Sequence, residues 1–458
     1  MKKWRGIFES SARRLYARLL LGGWESLAGL ALFGLLVFAF LFATVHHRDL
    51  SRDWPKYGVA YGFERYPNLI RFWIEQGYFK HGGLWFPQIG DPLLFGTTVD
   101  PNTTLVAKNG NMGYLQVAHV LERINYIFRG TFSYTLMVLH NQAWVWLSST
   151  LLGLLAMRLA RRIEIKPLYA LLFGVASTAI YQTFPINLWY YWEISVSAVG
   201  VVFILLFLLI EEYAYGREQT PHWFPFLRGL CVFMLIYADW FGGSFLLATY
   251  FLVAITLSSQ SLKQMRPLKT VALPTGAALG IFALQIGWVR LNFPNAQWVG
   301  SGFMYRTGFD GSTRFYASHL DLITSRLLFD KFMPQWTLLP QSWFLFVAGG
   351  LSILILVGFY LTRLPQLRCA VIILALSLGY YLLMAFLFSQ SAVIHPYIYD
   401  VYLVIPLILA FYAVLPASLE HLTKNSGFFA FAVMLMAFCY TMVQLRTYAM
   451  LFPLTTLP

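Results

Sequence analysis

The amino-acid sequence predicts an all-α polytopic membrane protein of about eleven transmembrane helices, and three observations carry that prediction. Of 458 residues, 58% are hydrophobic and only 12% are charged, roughly half the charged fraction of a soluble domain. Apolar runs repeatedly approach the ~20 residues needed to cross a hydrocarbon core. Lys and Arg gather in alternate connections between those runs, as cytoplasmic segments do. The net charge of +13 therefore reports topology, and no nucleic-acid partner is expected. The chain, 1–458, reads as a single transmembrane domain.

The elements follow in order. Met1 to Arg18 is rich in Lys and Arg, which keeps this end cytoplasmic. The first span, about Leu27 to Thr44, is too long for a signal-peptide core and lacks a cleavage site, so it is expected to be retained. A long outer loop, 46–133, follows. The second span, about Tyr134 to Met157, returns to Arg158, Arg161, Arg162 and Lys166. The third, about Leu168 to Thr183, leads out to an aromatic belt that runs to Trp192 and Glu193. The fourth, about Ile194 to Ile210, comes back to Glu211 and Glu212 and a segment with Arg217 and Arg228. The fifth ends outside at Asp239, and the sixth returns to Lys263, Arg266 and Lys269. The seventh, about Val271 to Val289, opens a second long outer loop, 290–341. The eighth reaches Arg363 and Arg368, and the ninth exits at His395-Pro396-Tyr397. The tenth, about Val401 to Leu415, leads to Glu420 and Lys424 inside, and the eleventh, about Phe428 to Leu445, places the C-terminus outside.

This topology puts every polar cluster of note on the outer side. Both long loops are expected to carry short interfacial helices. In the first loop, Leu69, Ile70, Phe72, Trp73 and Ile74 recur at roughly helical spacing after Pro67, with Arg71, Glu75 and Gln76 between them and Gly77 to end the turn. That pattern suits an amphipathic helix lying in the interface, with Glu75 toward water. Glu64 stands just before it, flanked by Arg65 and Tyr66, and Asp53 sits nearer the first span beside Arg52 and Trp54. A carboxylate near an apolar wall and a cation suits a general base; either acid equally suits a helix cap or an ion pair with its neighbouring arginine. Lys80, His81 and the Gly82-Gly83 turn add cationic and Gly-rich character. In the second loop Arg306 and Arg314 bracket a run of Gly, Ser and Thr that suits an anionic ligand, or a solvated turn in which Arg306 pairs with Asp310. His140-Asn141-Gln142 at the start of the second span is expected to face protein interior or to join helices.

Several chemistries are excluded by what the chain lacks. Cys231, Cys369 and Cys439 form no CxxC or Cys/His cluster. No GxGxxG, Walker, HExxH or GxSxG pattern occurs in its proper setting. No cofactor is expected, and a divalent metal is not indicated.

Two stretches carry a family resemblance. The run from Glu64 to Tyr78 is similar to the acid, aromatic, Asn, Arg and terminal Gly-Phe/Tyr pattern of oligosaccharyltransferase catalytic subunits, and His395-Pro396-Tyr397 followed by Pro406 resembles the outer junction of bacterial lipid-sugar transferases. With its topology, the chain resembles the GT-C superfamily of integral-membrane glycosyltransferases. The resemblance implies transfer of a sugar from a polyprenyl-phosphate carrier to a lipid, glycan or protein acceptor on the outer face of a bacterial inner membrane. It further implies inversion at the sugar, a first-loop carboxylate (Glu64 or Asp53) as base, and Arg65, Arg71, Lys80, His81, Asp239, Arg306, Arg314, His395 and Tyr397 around the substrate and its phosphate. No WWDYG-like motif is present, which points to single-sugar transfer rather than oligosaccharide transfer to Asn. A transporter, flippase or polysaccharide polymerase using the same outer cavity is the rival expectation.

Overall fold

Apolar composition dictates the secondary structure. In lipid every backbone N–H and C=O must be satisfied within its own segment, which leaves the helix as the solution for runs such as 198–210. The computed structural model describes residues 34, 70–71, 73–75, 112–131, 134–184, 187, 196–214, 221–238, 269–292, 404–424 and 427–451. Among these residues there is no strand. The helices are α1 (Met112–Arg129), α2 (Tyr134–Arg162), α3 (Pro167–Thr183), α4 (Val196–Ala214), α5 (Phe224–Ala238), α6 (Lys269–Asn292), α7 (Val404–Thr423) and α8 (Phe428–Leu451). Among the described residues, three stretches are long and apolar enough to cross a membrane: Gln142–Arg162, Val404–Thr423 and Phe428–Arg446.

The boundaries of α2, α3, α4, α6, α7 and α8 fall close to the expected second, third, fourth, seventh, tenth and eleventh spans. The end of the first long loop, where short interfacial helices are expected, is the 18-residue helix α1. The fifth expected span is met by α5, which ends at Ala238, just before Asp239; the sixth, eighth and ninth, and the first apart from Gly34, lie outside the described residues.

The helices pack in a row, α6 on α5, α5 on α4, α4 on α2, α2 on α3 and α3 on α8, with α7 set against α2 and α3. The core runs along this row, from Leu152, Leu155 and Leu159 of α2 through Phe173, Ala176 and Ile180 of α3 to Leu205 and Leu208 of α4. At both ends of the row apolar side chains point outward: Leu273, Leu284 and Leu291 on α6, and Phe431, Leu435 and Phe438 on α8. Such faces suit hydrocarbon rather than water. Gly34 lets the first span approach closely, since a Cβ there would lie 2.6 Å from the Trp146 indole nitrogen.

Two local departures have clear causes. Pro416 has no N–H to give the Tyr412 carbonyl, and its ring would crowd that group. The preceding turn widens accordingly into a π-turn at Ala410–Val414, closed by Leu415 N–H to the Ala410 carbonyl. The α7–α8 turn is fixed by Glu420, whose buried carboxylate accepts hydrogen bonds from the backbone of Gly427 and, at 3.0 Å, of Phe429. This caps the start of α8. Gly427 sits at φ +100°, and a Cβ there would come within 2.5 Å of the Tyr169 ring.

Candidate functional site

Three polar places stand out in an apolar molecule, and each is built by identifiable side chains. The first joins the amphipathic segment of the first loop to α1. Residues 70, 71 and 73–75 are helical. Ile70 and Trp73 are buried while Arg71 and Glu75 are exposed, joined by an i,i+4 ion pair of 2.8 Å. The segment therefore has the two faces expected of it, and its apolar face meets protein: the Trp73 ring stands edge-on to the His119 imidazole of α1, centroids 5.7 Å apart. His119 and Glu122 lie at i,i+3 and are both buried. Asn125 donates to the Glu122 carboxylate at 2.9 Å and to the Thr131 carbonyl at 3.0 Å, which locks the end of α1 to the start of the link into α2. Burial, with the Arg123 guanidinium nearby, pushes the His119 pKa down to about 4, so its ring is neutral at physiological pH.

The second place is a seam inside the bundle between Gly34, α2 and α3. Gln182 donates to the Ser149 hydroxyl at 2.7 Å and to the Gly34 carbonyl at 3.3 Å. Thr178 donates to the carbonyls of Ser149 (3.2 Å) and Gly174 (3.0 Å), and Asn187 to that of Tyr181 at 2.5 Å. Thr183 and Thr441 share a hydrogen bond that ties α3 to α8. Two fully buried oxygens in this region, Gln182 Oε1 and Ser177 Oγ, have no hydrogen-bond partner among the described residues, and neither has Gln142 Oε1 on α2. His140 accepts a hydrogen bond from the Trp144 indole at 2.9 Å, and both His140 and Gln142 are buried, facing protein as expected.

No protein-family model, curated protein or solved structure matches this chain. What the site can do follows from its own residues.

The third place lies at the opposite end of α2. Glu212 of α4 is buried and takes Arg158 and Arg162 of α2 on its two oxygens, the second at 2.7 Å, while Arg162 also donates to the Glu212 backbone carbonyl at 2.5 Å. Arg228 at the start of α5 is buried, bonds Glu211 at 2.5 Å and lies 5.6 Å from the centre of the Phe207 ring. The ends of α2 and α4 and the start of α5 thus meet at one end of the bundle. The start of α3 meets the start of α8 through Tyr169, Gly427 and Phe431. These are connections the charge pattern assigns to a common side, and the structure brings them together within these two groups.

Of the residues expected to carry chemistry, Arg71 falls among the described ones, its guanidinium engaged by Glu75. Asp53, Glu64, Arg65, Lys80, His81, Asp239, Arg306, Arg314, His395 and Tyr397 lie outside the described residues. The structure adds His119 and the internal seam, which no sequence motif singles out, and gives Glu122 a buried place beside His119. Their signals were present: an i,i+3 His/Glu pair on an otherwise apolar run, and Ser148-Ser149-Thr150 and Ser177-Thr178 within spans, where small polar residues join helices. Among the described residues, no three His, Cys, Asp or Glu side chains gather closely enough to hold a metal ion.

Proposed function

We propose that the chain is a membrane glycosyltransferase of GT-C type that moves a sugar from a polyprenyl-phosphate carrier to an acceptor on the outer face of a bacterial inner membrane. The observation that supports this reading best is the docking of the first loop. Trp73 fixes the amphipathic segment against α1 at His119, and Ile70 on the same apolar side is buried; Glu64 precedes that segment by six residues in the chain. A loop anchored in this way can hold a carboxylate in a constant place, as general-base catalysis requires. In the reaction, Glu64 or Asp53 takes the proton of an acceptor hydroxyl. The oxygen attacks the anomeric carbon, the bond to the carrier phosphate breaks with inversion, and the polyprenyl phosphate leaves as an anion. Arg306, Arg314 and His395 would stabilise that charge, with Arg65, Arg71, Lys80, His81, Asp239 and Tyr397 around the substrate.

The purified protein in lipid nanodiscs, given a radiolabelled polyprenyl-phosphate sugar, should form glycosylated acceptor. Glu64→Gln or Asp53→Asn should lower transfer by on the order of 10²-fold or more with unchanged thermal unfolding. If the parent shows no transfer and both variants support cells as the parent does, the enzyme reading is wrong.

One observation favours a second reading. The buried oxygens of Gln182 and Ser177, without hydrogen-bond partners among the described residues, lie within the helix bundle, where a transporter or flippase would hold polar substrate groups. Carrier movement across proteoliposomes without transfer would select that reading.

A further inference from the structure

Helix α1 inverts the usual arrangement of a surface helix. Its acid and its imidazole, Glu122 and His119, are buried, whereas Val120, Leu121, Ile124, Ile127 and Phe128 are exposed, Ile127 by 71% and Phe128 by 84%. At ~100° per residue these five side chains occupy a continuous arc of roughly 120°. On the same scale Arg123 lies ~40° beyond one edge of the arc and Arg129 ~80° beyond the other. Both arginines are exposed, and neither makes an ion pair among the described residues.

We propose that this face of α1 rests in the bilayer surface, with its apolar arc among the acyl chains and Arg123 and Arg129 on the headgroups of acidic phospholipid. Two features single out lipid as the occupant. The face is continuous with membrane-embedded structure: α1 ends at Arg129, α2 begins at Tyr134, and the Asn125 bond to Thr131 fixes the joint. The membrane-length stretch of α2 starts at Gln142, so α1 lies within a few turns of the hydrocarbon edge. The charge pattern also fits, because a guanidinium group at one edge of an apolar stripe (Arg123) and a second at the C-terminal end of the same helix (Arg129) are what an anionic interface binds. The inward face, where His119 meets Trp73 and Glu122 is buried, couples this anchor to the amphipathic segment at 70–75. The proposal does not depend on which reaction the protein carries out.

The test uses the full chain with Cys231, Cys369 and Cys439 replaced, reconstituted in phosphatidylcholine vesicles with and without phosphatidylglycerol. Single cysteines at Ile124, Ile127 and Phe128 carry a spin label, with Glu75 as the water-exposed reference. The three α1 labels should be broadened by oxygen and protected from a water-soluble nickel chelate, the reverse of the label at 75. Labels as open to the chelate as position 75, or shielded from both reagents as under a second protein or a second copy, overturn the proposal. In the charge arm, the double variant Arg123→Gln, Arg129→Gln should retain its melting temperature and lose about half or more of the phosphatidylglycerol retained in native mass spectrometry, as expected when two cationic contacts are removed. Retention equal to the parent's overturns the headgroup assignment.

Discussion

The two halves of the α2–α3–α4 bundle treat polar groups in opposite ways. At the end where α2 and α4 finish and α5 begins, Glu212 and Glu211 take up Arg158, Arg162 and Arg228. Further along α2 and α3, the seam around Ser149 and Gln182 leaves buried oxygens without partners among the described residues. The first region uses its polarity to hold helices together, while the second keeps polar capacity in reserve. That difference separates a structural clamp from a candidate ligand-contacting surface, and it can be broken experimentally in order of expected effect.

The clamp should yield the largest loss. Glu212→Ala leaves Arg158 and Arg162, each 30% exposed, without their shared carboxylate, and each lost hydrogen bond to a charged group costs about 1.5–3 kcal/mol. Thermal unfolding in detergent should show a midpoint far below the parent's. A midpoint within a degree or two of the parent's would mean that the clamp is ornamental. The turn at the same end comes next. Gly427→Ala forces a left-handed backbone on a residue that disfavours it and drives a methyl group into Tyr169, for a loss of about 2–4 kcal/mol. Shortening Tyr169 to Leu in the same chain should recover the steric part and leave the backbone part.

Helix α1 offers a pH handle on the first loop. Unfolded His119 takes up a proton near its ordinary value of 6.5, whereas the buried ring does so near 4. Between those values the unfolded state binds more protons, so stability must fall as pH is lowered through the window and level off below it. The loss should be on the order of 2 kcal/mol, a discounted reading of one pKa unit per 1.36 kcal/mol. Melting curves from pH 7 to 4 check this, with His119→Gln expected to flatten the slope. An unchanged slope in the variant would assign the pH dependence to other groups.

How much of this was legible in advance follows from what each feature depends on. Helix boundaries rest on local runs of apolar residues, so those of α2, α3 and α8 could be read from composition and flanking charge. The common side of Arg158, Arg162, Glu212 and Arg228 followed from charge segregation, yet their pairing did not, because it depends on which spans are neighbours. The amphipathic segment at 70–75 was legible as a two-faced helix. That its apolar side meets α1 rather than lipid was not legible, since periodicity says which face is apolar and nothing about what covers it. Helix α1 was hidden for a related reason: with His119 and Glu122 inward and Ile127 and Phe128 outward, its pattern is the reverse of the one a soluble surface helix shows. The proposed chemistry of Glu64, Asp53 and the arginines of the second loop rests on sequence alone.

The smallest stability effect discriminates most sharply between the two halves. Ser177→Ala removes a buried hydroxyl whose oxygen has no hydrogen-bond partner among the described residues, and deleting such a group costs nothing in those contacts while relieving a desolvation penalty of about 1–3 kcal/mol. The variant should therefore melt at or slightly above the parent's midpoint, by no more than about 1 kcal/mol once the lost volume is counted. Gln182→Leu is the control, because it also breaks the bonds to Ser149 and Gly34 and should destabilise by about 1–2 kcal/mol. If the seam contacts a substrate, Ser177→Ala gains stability and loses turnover or transport together. If it is only helix-joining glue, stability moves and function does not. A marked destabilisation by Ser177→Ala would show that the hydroxyl is satisfied in the membrane, and the contrast between the two halves of the bundle would lose its basis.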